Sequence, residues 1–196
     1  MFLVKTILFC VVTQKVVSLF TLDAAIGGLI TGTQGTKVEF APNSFGISGS
    51  PVTGNLTVQL IEIYDKASIV FNNKSTLGER INGDKEALKS AGEFFINAKQ
   101  GATELDLLAP AKVTSRNIDL ADADFGMGLF TAGEDLNDTE DWVEAEEEVK
   151  INEADGSIGI SVTYSFNLGD FGWSNLDRWY SFSGPKTQLF VDVPEG

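Results

Sequence analysis

Ser157-Ile-Gly-Ile-Ser-Val-Thr-Tyr-Ser-Phe-Asn-Leu168 decides the fold class of this chain. Ile158, Ile160, Val162, Tyr164, Phe166 and Leu168 alternate without a break with Ser157, Gly159, Ser161, Thr163, Ser165 and Asn167. A period of two places alternate side chains on opposite faces of an extended backbone, so the segment reads as a strand with one buried face. Just upstream, Asn152-Glu-Ala-Asp-Gly156 supplies turn residues and Val149 and Ile151 end an incoming strand, which predicts a hairpin.

The same signal recurs outward from there. In 55–63, Leu56, Val58 and Leu60 share one parity and Ile61 and Ile63 the other, which calls for a bulge near Leu60 or a strand buried on both faces. Further strands are expected at 36–40, 92–98, 103–108, 111–118, 127–131, 176–182 and 186–193, while only 84–90 has the spacing for a turn or two of helix. Gly27 and Gly28 mark a positive φ or a close backbone approach. Pro42 ends the strand before it, and Phe45 buries its ring under the loop that follows. Short strands punctuated by Gly, Asn and Pro predict an all-β, two-sheet antiparallel sandwich of immunoglobulin-like architecture with little helix. One domain is expected over 21–196. Residues 1–20 are expected to be a leader or an extra strand, because Thr6-Ile-Leu-Phe-Cys-Val-Val12 resembles a weak signal segment too short to span a bilayer as a helix.

Composition narrows the chemistry. The 196 residues carry 28 Asp and Glu against 14 Lys and Arg, a net charge of −14, which argues against nucleic acid or an anionic membrane surface as partner. With no histidine, Ser-His-Asp and Cys-His catalysis and every His-ligated metal site are excluded. The single cysteine, Cys10, rules out an intrachain disulfide and a multi-cysteine metal site. Carboxylate, Lys, Tyr and Ser chemistry remain.

Two sets of side chains are candidates for a site. Trp173, Trp179 and Tyr180 lie in a late aromatic cluster with Phe171 and Phe182, and exposed rings of this kind stack on sugar faces. The plainer account is a sandwich core, for which aromatics are the main filling. Trp179 and Tyr180, adjacent on a strand, must face opposite ways. Asp119, Asp122 and Asp124 offer closely spaced oxygen ligands of the sort Ca²⁺ takes, although they miss the EF-hand pattern, and a solvated acidic loop is the plainer account. A second acidic run, Glu134 to Glu148, has no basic residue and reads as a charged loop leading into a strand near Trp142. Asp177 and Arg178 read as a structural pair at a strand end. No pair of carboxylates stands out as the acid and base of a glycosidase, so no enzyme activity is expected.

An ordered series of short motifs resembles the ZU5-like β-sandwich domains found in exported or surface-attached proteins of Bacteroidetes-type bacteria. It runs through Gly27-Gly28 with Ile30, Gly35-Thr36 with Val38, and Phe40-Ala-Pro-Asn-Ser-Phe45. It continues with Val52-Thr-Gly54, Glu62-Ile-Tyr-Asp-Lys-Ala-Ser68 and Gly92-Glu-Phe-Phe-Ile-Asn97. The series covers roughly residues 20–130, with weaker similarity at Gly172-Trp173 and 175–179. The resemblance implies a cell-envelope or extracellular module whose partners are proteins or neighbouring domains; a glycan, suggested by the aromatic cluster and not by the resemblance, is the second class of partner. Some ZU5-containing proteins cleave themselves at His-Phe-Ser. Here Tyr180-Ser-Phe-Ser183 stands nearest and lacks the histidine, so no base activates the serine.

Overall fold

The computed structural model describes residues 16–137, 141–156 and 159–181. The chain enters through β1 (Ser18–Asp23), β2 (Gly28–Thr31), β3 (Lys37–Phe40), β4 (Phe45–Ile47), β5 (Ser50–Pro51) and β6 (Asn55–Ile63). A short helix, α1 (Lys66–Phe71), precedes β7 (Leu77–Glu79) and the long β8 (Lys85–Gln100). Next come β9 (Thr103–Glu104), β10 (Asp106–Leu107), β11 (Ala111–Thr114), β12 (Ile118–Asp119) and a 3-10 turn at Leu120–Asp122. The described strands end with β13 (Gly128–Thr131), β14 (Trp142–Glu144), β15 (Lys150–Gly156), β16 (Gly159–Leu168) and β17 (Gly172–Trp179).

The fold is all-β and sandwich-like. One sheet has the order β1-β6-β8-β17-β13-β14-β7, the other β12-β16-β11-β3-β2 with β15 beside β16, and β10-β4-β5 form a small third sheet. The two large sheets share a core in which Leu56, Val58, Leu60, Phe94, Ile96 and Leu176 meet Val38, Val113, Tyr164, Phe166 and Leu168. The first sheet is covered on its other face too. There Ile61, Ile63, Phe95, Phe130, Trp142 and Trp173 pack with Ile69 of α1 into a second cluster. The parity slip in β6 therefore reflects burial on both faces, and its pairing with β8 runs on without a register shift. On this side the sheet also closes on itself. β7 pairs in parallel with β14 and antiparallel with β8, so β8-β17-β13-β14-β7 form a ring.

Several boundaries differ from expectation. Of residues 84–90, those from Lys85 on are strand, not helix, because β8 pairs there with β7 on one side and β17 on the other, and cross-strand partners outweigh local helix propensity. The turn expected at 152–156 is the body of β15, where Asn152 faces Thr163 and its side-chain amide donates to Ser165 Oγ at 3.0 Å. The helix α1 was not foreseen. It starts at Asp65, whose carboxylate accepts from the Ser68 N–H at 2.9 Å and so caps the helix N-terminus. β17 begins at Gly172, earlier than expected, and the strand expected at 186–193 lies outside the described residues. β1 straddles the expected 20/21 boundary.

Glu62 ties the end of β6 to the opposite sheet. Its carboxylate accepts from the backbone N–H groups of Gln34 (3.0 Å) and Thr36 (2.9 Å), and the Gln34 side chain returns to the Glu62 carbonyl at 2.7 Å. The β2–β3 turn can reach it only because Gly32 has no Cβ, which would sit 2.2 Å from the carboxylate. Tyr64 extends the tie, its hydroxyl meeting Thr36 Oγ1 at 2.8 Å and accepting from the Arg116 N–H at 2.9 Å. Glu62→Ala leaves two buried or half-buried N–H groups without an acceptor and is expected to cost about 2–3 kcal/mol. Urea unfolding checks this as a lower midpoint at unchanged m-value.

Candidate functional site

A groove of about 1470 Å³ lies between the β7–β8 hairpin, β14 and the end of β17. Arg80, in the hairpin turn, reaches back over it. Its guanidinium donates to Glu86 Oε2 (2.9 Å from Nη2) and lies 3.7 Å from the centroid of the Trp179 ring. Phe130 meets the same indole edge-on at 5.2 Å, and Trp179 Nε1 donates to Glu144 Oε2 at 2.8 Å. Gly78 makes room for the indole, since a Cβ there would fall 2.7 Å from its six-membered ring. Trp179 is thus held by Arg80, Phe130 and Glu144 and stays partly exposed to the groove. Tyr180, just past the end of β17, lines the same groove and is 57% exposed. The remaining wall is mixed in charge, with Glu79, Asp84 and Glu146 facing Lys85, which is paired with Asp141.

The expected sugar platform does not form. Trp173 is 1% exposed, with Lys74 Nζ 3.5 Å from its ring centroid and Phe95 packed on it at 5.2 Å. Its Nε1 donates to the Asp135 carbonyl at 3.0 Å. Trp173 therefore belongs to the second core cluster and offers no face to a ligand, and of the three aromatic candidates Tyr180 is exposed and Trp179 only partly so. The reason is the two-sided burial of β17, which a reading based on a single buried face misses.

The three aspartates do not converge either. Asp119 and Asp122 are exposed, whereas Asp124 turns to Lys89 Nζ (2.9 Å) and Arg178 Nε. Burial works to raise the Asp124 carboxyl, but the hydrogen bonds from Lys89 and Arg178 outweigh it and hold it at about 2. The Tyr164 hydroxyl fixes the loop from below, accepting from the Asp124 N–H at 2.7 Å and donating to its carbonyl at 3.0 Å. Among the described residues no three acidic or thiol side chains are placed to hold a metal ion. Arg178 thus pairs with Asp124, not with its neighbour Asp177, because consecutive strand residues face opposite ways.

Asp177 instead points into a buried polar cluster under the α1 side of the first sheet, which sequence reading missed entirely. Asp177, Asn175 and Glu93 are each 1% exposed, and Asn175 stands directly across from Glu93 on β8. Asn175 Nδ2 donates to Asp177 Oδ2 at 2.7 Å, and Ser90 Oγ lies 2.8 Å from Asn175 Oδ1. Glu93 Oε2 and Asp177 Oδ1 make no hydrogen bond among the described residues. Burial, reinforced by the Asp177 charge, pushes the Glu93 carboxyl up to about 8, with Lys74 opposing it. Burial pushes Asp177 up to about 7 against the pull of the Ser90 hydroxyl. The signal in the sequence was the odd parity of Glu93, Asn175 and Asp177 with the core residues Phe95 and Trp173, readable only once both faces are known to be covered.

Comparison with family models, with curated proteins and with solved structures finds no match.

Two expectations follow. The folded state holds more protons than the unfolded chain wherever pH lies between the ordinary carboxylate range and the raised values. The stability contributed by Glu93 and Asp177 is therefore full below about pH 4, falls as pH rises and levels off above about pH 8. Glu93→Gln should flatten that decline in urea titrations run across the range, whereas general charge repulsion would leave the slope unchanged. Arg80→Ala should uncover Trp179 at a stability cost of about 1 kcal/mol. It should also shift tryptophan emission to the red and raise acrylamide quenching, because Trp142 and Trp173 stay buried.

Proposed function

We propose that this chain is a non-enzymatic β-sandwich module of the cell envelope or extracellular space that works by contact with a protein partner or a neighbouring domain. The observation that carries this reading is the rim of the Trp179 groove. Ile81 at the hairpin tip, Val143 at 54% exposure and Tyr180 at 57% stand around the Arg80 guanidinium and a wall of mixed charge. Exposed aliphatic and aromatic side chains around an arginine held in place by packing match the composition of protein-contact hot spots. The resemblance to ZU5-like domains supports the envelope setting. No helix among the described residues is long and apolar enough to cross a membrane.

A carbohydrate-binding role is the second reading, favoured only by Tyr180, and a single ring makes half a platform. The calcium-stabilised reading has less support, since Asp124 is already committed to two cations. The test is a photo-crosslinking amino acid placed at Tyr180 and, as control, at Leu29, which is 60% exposed on β2. In the native host a discrete adduct is expected from position 180 and none from position 29. Equal labelling from both positions would reject the groove as the contact surface. Saturable binding on a glycan array that Tyr180→Ala abolishes would replace this reading with the second.

A further inference from the structure

The groove beside Trp179 carries more negative charge than its own cations balance. Lys85 is faced by two carboxylates, being paired with Asp141 and standing directly across from Glu79 in the β7–β8 register. Arg80 is matched by Glu86. The other carboxylates of the lining, Asp84, Glu144 and Glu146, form no ion pair among the described residues. Asp84 accepts from the Asn82 amide at 2.8 Å and Glu144 from Trp179 Nε1 at 2.8 Å, and neither donor brings a charge. Glu146 is exposed. Beside this acidic wall, Ile81, Val143 and Tyr180 turn apolar surface to solvent. Neither half of the combination stabilises the fold, since exposed side chains bury nothing and like charges around a concavity repel.

We propose that the partner segment received by this groove is cationic, a stretch of another protein with Lys or Arg on either side of an aliphatic or aromatic residue. The inference rests on the groove being the contact surface and adds the chemistry of what it contacts. The apolar residue covers Ile81, Val143 and Tyr180, while the flanking cations answer Asp84 on the hairpin and Glu144 and Glu146 on the β14 side. Glu144 is already fixed by the indole N–H, so little side-chain freedom is lost when a cation reaches it. Like charges lining a concavity focus their field into it, which draws a basic segment in from about 10 Å at 0.1 M salt. Arg80 does not call for an acidic partner, because Glu86 neutralises it and Trp179 lies against its guanidinium. A second copy of this chain fits poorly, since it brings the same acidic groove and a net charge of −14. A small cation would answer the carboxylates and leave the apolar rim bare.

The test pans random peptides displayed on phage against the full chain and measures synthetic copies of the enriched peptides by fluorescence anisotropy. Enrichment of Lys or Arg next to an aliphatic or aromatic residue is expected, with affinity falling as salt is raised. Reversing two charges together, Asp84→Lys with Glu146→Lys, should weaken these peptides by about tenfold or more, and Tyr180→Ala should weaken them as well. Both reversed positions are exposed, and an unchanged urea midpoint checks that the double variant keeps its fold. Acidic or neutral peptides that Tyr180→Ala weakens and the charge reversal does not would overturn the cationic partner and leave the groove as the contact surface. Basic peptides that bind Tyr180→Ala as tightly as the wild type would be held by the overall charge of the chain, and the groove reading would fall together with the inference. Recovery no better than from an uncoated surface would reject the cationic partner, with the crosslink at position 180 still reporting on the groove.

Discussion

Burial of β6, β8 and β17 on both faces is the constraint on which the rest of the structure depends. A strand with one wet face sends its polar side chains to water. These strands have no such outlet along much of their length, so each polar residue on them must find its partner inside. Glu62 meets that requirement through backbone donors from the facing sheet. Asn175 meets it through Asp177 and Ser90, and Glu93 and Asp177 through protonation, because two bare carboxylates at that depth would be prohibitively costly.

The same constraint separates what the sequence made readable from what it hid. β16 could be recognised at once, since its outer face is polar and the alternation is clean. The all-β class followed from that strand and from the turn residues between its neighbours. The start of β8 was hidden because Lys85-Glu-Ala-Leu-Lys is locally helix-forming, and only long-range pairing with β7 and β17 holds it extended. The aromatic candidates misled for a related reason. Trp173 belongs to a second core that no single-face periodicity can announce, and the carboxyl cluster below it was invisible because its members are spread over β8 and β17. The partners of Asp124 were equally out of reach, since Lys89 and Arg178 come to it from distant segments.

The motif series running from Gly27 to Asn97 reduces, residue by residue, to requirements of folding. Gly27 takes a φ of 70° where a Cβ would collide with the Phe40 carbonyl. Phe45 is fully buried. In the run from Glu62 to Ser68, Glu62 clamps the β2–β3 turn, Ile63 fills the second core, Tyr64 bridges to Arg116, and Asp65 caps α1 through Ser68. A motif set so fully occupied with holding the framework is expected to outlast changes of binding surface, which places variation in the hairpin tip and the outer loops.

The ring β8-β17-β13-β14-β7 has a kinetic consequence. An open sheet can fray from its outermost strand one hydrogen bond at a time, but a strand paired on both sides has no such first step. Breaking the circle at any point exposes the indoles of Trp142 and Trp173 together with the carboxyls beside them, so partial opening is penalised as heavily as complete opening. This half of the molecule should therefore exchange its amide protons as one cooperative block, while the short β10-β4-β5 sheet, with nothing comparable to lose, opens separately and sooner.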